Sequence, residues 1–87
     1  MKKLIEDNYK SIVKRGKITM ETNHLDFIVK LEEEVEEFID AVKHDRNKAP
    51  EELADVILVC LNYAKHYDID IENELLCKIG KNYLRED

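Results

Sequence analysis

The segment Leu25–Tyr67, LDFIVKLEEEVEEFIDAVKHDRNKAPEELADVILVCLNYAKHY, decides the fold. Its first half carries Leu25, Ile28, Leu31, Val35, Phe38, Ile39 and Val42, the spacing of a helix with one buried stripe. Thr22 and Asn23 are both good caps, so this helix is predicted to start near them and to run to about Lys43 or His44. The stretch from His44 to Ala49 is short and polar and reads as a helix-to-helix loop. Pro50 suits the first turn of the next helix, where its missing N–H is not needed. That helix, about Pro50 to Tyr67, contains an unbroken apolar run from Val56 to Leu61, which predicts burial on most of its sides.

Working outward, Leu4, Ile5, Tyr9, Ile12 and Val13 predict a first helix from about Lys2 to Arg15. Lys14 and Arg15 suit its negative C-terminal end, and Gly16 can supply the left-handed residue that stops it. Beyond Tyr67, Asp68-Ile69-Asp70 makes a turn, and Asp70 caps a fourth helix with apolar positions Ile71, Leu75, Leu76 and Ile79. Gly80 weakens that helix by about 1 kcal/mol relative to Ala, which points to an early end. The reading is all-α: a four-helix bundle in a single domain spanning residues 1–87, without internal repeat or linker.

Composition bounds the function. A chain of 87 residues buries only roughly 60% of its unfolded surface, so association with further copies is expected. The formal net charge of −6 opposes docking on duplex nucleic acid. It also repels nucleoside triphosphates, so a nucleotide site on this chain needs a divalent cation between protein and phosphates. Cys60 and Cys77 stand apart, with no Cys-x-x-Cys or zinc spacing, and read as reduced core thiols of an intracellular protein. No apolar run has the length of a signal peptide or a membrane span, so the expectation is a soluble cytoplasmic protein with no membrane partner.

The carboxylates break local rules. Glu32, Glu33, Glu34, Glu36 and Glu37 crowd one helix with only Lys30 close by, and like charges three or four apart cost a few tenths of a kcal/mol per pair. An acidic run of this kind is ordinarily a solvated face. Glu34 and Glu37, however, sit one turn apart on one flank, and Glu52 and Asp55 repeat the spacing at the entrance to the most apolar helix. Glu51 and Glu52 have a bland account, since they favour the positive end of that helix; Asp55 is explained less well in this way. Helices joined by a short loop are normally antiparallel neighbours, so the two pairs come to a similar level and can face one cavity. An all-carboxylate set selects a hard ion such as Mg²⁺ or Mn²⁺ over zinc.

These residues resemble the signature of the MazG-like nucleotide pyrophosphohydrolases, an all-α superfamily. Its pattern is Glu-Glu-x-x-Glu, a variable spacer, then Glu-x-x-Asp. Glu33, Glu34 and Glu37 match the first half, preceded by Lys30-Leu31, and Glu52 and Asp55 match the second after fourteen intervening residues. Ala64, Ile69-Asp70 and a Lys78, Asn82, Arg85 ending extend the likeness over about Leu25 to Arg85. The resemblance implies a MazG-like bundle in which Glu34, Glu37, Glu52 and Asp55 ligate Mg²⁺ while water attacks the α-phosphorus of a nucleoside triphosphate. The products are then a monophosphate and pyrophosphate. Glu33 orients or deprotonates the water, or bonds only to a neighbouring basic group.

Lys30, Asn62, Lys78, Asn82 and Arg85 are the candidate substrate-binding residues. For the last three the alternative is a basic, solvated helix end, and for Asn62 and His66 a structural role. The tyrosines at 63, 67 and 83 and His24 read as core or core-edge residues. The family's small members also imply a homodimer or homotetramer. Two other functions compete: phosphoribosyl-ATP pyrophosphohydrolase, disfavoured by Val56-Ile57-Leu58 after Asp55, and a non-catalytic acidic dimerisation module.

Overall fold

The computed structural model describes residues 1–85, which form α1 (Lys2–Lys14), α2 (His24–His44), α3 (Ala49–His66) and α4 (Ile71–Tyr83), with a 3₁₀ turn at Arg46–Lys48. No strand occurs among the described residues. The helix ends follow from local chemistry. Gly16 takes φ +74°, and the N–H groups of Gly16 and Lys17 return to the carbonyls of Val13 and Ile12, the paired bonds that close a helix at a left-handed residue. Asn23 accepts bonds from the N–H groups of Leu25 and Asp26, while the Asp26 carboxylate accepts from the Asn23 N–H at 2.9 Å, a reciprocal cap. Asp70 caps α4 through the Asn73 N–H at 3.1 Å. Against expectation, α4 runs through Gly80 to Tyr83, since a single glycine weakens a helix without ending it when no left-handed turn is required.

α3 is the centre of the packing, with α2 along one side and α1 along another. α1 is antiparallel to α3: Lys2 and Ile5 share a cleft with Ala64 and Lys65, Asn8 bonds to Asn62, and Arg15 lines a cavity with Asp55. One end is tied by His66, whose Nε2–H donates to the Thr22 carbonyl at 2.9 Å, leaving Nδ1 to accept the Tyr9 hydroxyl at 2.8 Å. His24 stacks on Tyr67 with ring centroids 4.2 Å apart and bonds to the Tyr63 hydroxyl at 3.0 Å, so these rings fasten the start of α2 to the end of α3.

The core is small: Ile18, Phe27, Ala41, Leu61 and Ala64 are its buried apolar residues. The stripe of α2 that meets α3 is Phe27, Leu31, Glu34, Phe38 and Ala41, spaced by alternating fours and threes. Of the predicted stripe, Leu31, Val35 and Phe38 are half-buried, whereas Leu25, Ile28, Ile39 and Val42 are exposed. Those residues form a second apolar face beside the first. The apolar run of α3 is likewise covered on two sides only, with Ile57 and Cys60 open on the third. Cys60 and Cys77 are exposed as well, not the core thiols anticipated. α4 makes only sparse contact with the other helices, and Leu75, Leu76 and Ile79 stand in solvent.

Candidate active site

Glu34 lies in the middle of the buried stripe of α2, 8% exposed, where a leucine or alanine would ordinarily sit. Glu37 follows one turn later, and Glu52 reaches toward both from the first turn of α3. The three carboxylates each place an oxygen within 4.8 Å of the others. Their charges are incompletely matched by protein groups. Lys30 Nζ lies 3.0 Å from Glu34 Oε1 and 3.9 Å from Glu33 Oε2. The second oxygen of Glu34 and one oxygen of Glu52 are buried with no hydrogen-bond partner among the described residues.

A buried acceptor without a donor costs about 1–3 kcal/mol, and more when charged. Two such oxygens on facing helices are an arrangement that protein contacts alone leave unfavourable. The titration behaviour agrees. The Glu37 carboxyl is pushed above its ordinary value by the negative charge of Glu34 first, then by the hydrogen bonding to Glu34 that favours its neutral form, by burial and by Glu52, with Lys30 opposing. The Lys30 ammonium is held above its ordinary value chiefly by its hydrogen bond to Glu34, against the effect of burial. The donor set, oxygen only and short of positive charge, fits a hard divalent cation.

Glu34 also borders a cavity of about 620 Å³, which Glu33, Lys30, Asp55 and Asn62 line with it. Asp55 is therefore on the cavity wall rather than in the close three-carboxylate group, one turn along α3 from Glu52. Asn62 lies two turns further, 7% exposed. Lys78 and Asn82 are exposed on α4, Arg85 follows its end, and none of the three lines this cavity. The opposite wall comes from residues that the sequence did not single out for binding: Asn8 and Ile12 on α1, then Arg15, Lys17 and Ile18 in the turn after it. Asn8 was detectable, as a polar residue on the same helical face as Ile5 and Ile12.

Carboxylates three apart on each of two antiparallel helices, edging a cavity, frame the comparison with known proteins. The MazG nucleotide pyrophosphohydrolase domain, as a family model, matches residues 22–85. The chain belongs to this family. No curated protein and no solved structure gives a match. The MazG match begins just before α2 and takes in both carboxylate pairs and α4, but leaves out α1 and most of the turn that follows. Family membership supports pyrophosphate-bond hydrolysis on a nucleotide as the activity of the MazG domain. The acidic group between α2 and α3 is its candidate metal centre. Among the described residues, no helix is long and apolar enough to cross a membrane.

Proposed function

We propose that this MazG domain is a Mg²⁺-dependent nucleoside triphosphate pyrophosphohydrolase that converts an NTP or dNTP into the monophosphate and pyrophosphate. The observation that carries the reading is the pair of buried, donorless oxygens on Glu34 and Glu52, one of them at the edge of a cavity of nucleotide size. Glu34, Glu37, Glu52 and Asp55 are the metal ligands, with Mn²⁺ an acceptable substitute. When bound, the cation neutralises phosphate oxygens and lowers the pKa of water.

The protein's own groups do the rest. Glu33, on the cavity wall and 61% exposed, is free enough to orient the attacking water and take its proton. Lys30, paired with Glu34 Oε1, lines the cavity and would offer its ammonium to the phosphates there. Asn62 closes the far end of the cavity. Lys78, Asn82 and Arg85 stand off the cavity of their own chain and serve as substrate contacts in an assembly of copies. A homodimer or homotetramer is supported by the open apolar faces of α2, α3 and α4.

The deciding experiment is pyrophosphate release from a panel of NTPs and dNTPs, with Mg²⁺ and with chelator. The reading requires release from at least one triphosphate that chelator abolishes. Absence of release from every member at saturating Mg²⁺ would refute it.

A further inference from the structure

We infer that α1 and the turn after it, which lie before the matched segment 22–85, complete the nucleotide pocket. In this arrangement Arg15 and Lys17 hold the polyphosphate, and the Asn8–Asn62 pair reads the polar edge of the base. The inference rests on the nucleotide reading above and goes beyond it by assigning recognition to Asn8, Arg15 and Lys17, which lie outside the family segment.

The antiparallel packing of α1 on α3 sets the geometry. From Asn8 to Arg15 is seven residues along one helix, and from Asn62 back to Asp55 is seven along the other. Both steps rise about 10 Å, so Arg15 stands level with Asp55 while Asn8 stands level with Asn62. The cavity that all four line has a charged end and an amide end. Their separation is comparable with the span of a nucleotide from its α-phosphate to the far edge of its base.

At the charged end, Arg15 and Lys17 have no ion-pair partner among the described residues, although Asp55, Glu33 and Glu34 line the same cavity. A bound polyphosphate gives these cations a partner opposite the carboxylate wall. Guanidinium and ammonium groups are the usual donors to phosphate oxygens.

At the amide end, Asn8 Nδ2 donates to Asn62 Oδ1 at 2.6 Å. That single bond uses one donor and one acceptor of the two carboxamides. It leaves the Asn62 amide N–H groups and the Asn8 oxygen without a partner among the described residues, on side chains that face the cavity. Asn62 is more than nine-tenths buried as a residue, and the cavity is the space that it lines. A donor beside an acceptor matches the hydrogen-bonding edge of a nucleobase, and the order of the two is what distinguishes one base from another.

The test uses the full chain with Mg²⁺ and the triphosphate panel, plus inorganic tripolyphosphate as an inhibitor that has no base. The double variant Arg15→Gln/Lys17→Gln is expected to raise KM about tenfold, with kcat changing by less than about twofold, and to weaken tripolyphosphate inhibition in proportion. Asn8→Ala is expected to cut the kcat/KM ratio between the best and worst bases by about tenfold and to leave tripolyphosphate inhibition unaltered. Lys10→Gln, an exposed α1 change off the cavity, serves as the control. An active wild type whose Asn8→Ala variant melts lower yet keeps its base ratio would show the asparagine pair to be only a staple between helices. Unaltered KM and inhibition in the double variant would likewise overturn the phosphate assignment. An inactive wild type removes the nucleotide reading itself, and this one with it.

Discussion

Glu52 carries an oxygen that the fold buries without giving it a donor, and Glu34 carries another. Glu52→Gln is therefore expected to stabilise the metal-free protein by about 1 kcal/mol, because an amide N–H can bond to the neighbouring carboxylates and one negative charge is gone. The same change should abolish stabilisation by Mg²⁺ and reduce pyrophosphate release by about a hundredfold or more. Thermal melts with chelator and with Mg²⁺ read the first two effects. Glu37 gives a pH signature with a definite sign. Its folded-state pKa lies above 4.5, so the folded chain holds this proton more tightly than the unfolded one. In chelator at low ionic strength, its contribution makes stability fall as pH rises from 4.5 through the folded-state pKa. Glu34→Gln removes the main cause, and a melt series should show the slope flatten in that variant. The three-residue spacing of these carboxylates was readable because it recurs on two helices separated by a short loop. Arg15 was not readable as a cavity residue, since its place at a helix C-terminus already accounts for a positive charge.

Helix ends were legible because capping is local chemistry, confined to a few adjacent residues. Gly16→Ala should cost about 1–2 kcal/mol, since an L side chain is strained at φ +74° even though space is available. Asn23→Ala should cost about 1 kcal/mol by leaving the first N–H groups of α2 without their acceptor. Urea titrations with unaltered slope would check both. The buried face of α2 was misread for a physical reason. Periodicity weights large apolar residues, but the contact stripe holds Glu34 and Ala41, a ligand candidate and a small residue that lets the helices approach. The large residues Leu25, Ile28, Ile39 and Val42 sit on the neighbouring face. Two overlapping helical patterns cannot be separated by spacing alone, and only the placement of α3 decides between them.

The molecule as a whole leaves much apolar surface in water, from Ile57 on α3 to Leu75, Leu76 and Ile79 on α4. Sedimentation is expected to give a mass at least twice the 10.3 kDa of one chain at micromolar concentration. Replacing Leu76 and Ile79 together by Ser should shift that equilibrium toward the single chain, and a wild type that sediments as one chain would count against assembly. The order of the four helices was legible, apart from the end of α4, whereas the exposed apolar faces were not, because spacing does not tell an apolar residue packed inside the chain from one left at its surface. The pairing of Lys30 with Glu34 carries a last consequence. A cation that came to Glu34 would find Oε2 open and the Lys30 ammonium tethered at Oε1, a positive charge that weakens its hold. Lys30 would thus set the affinity of the acidic group for a divalent ion through its charge alone. Shortening or neutralising that one side chain is expected to tighten divalent-ion binding while leaving every carboxylate of the group intact.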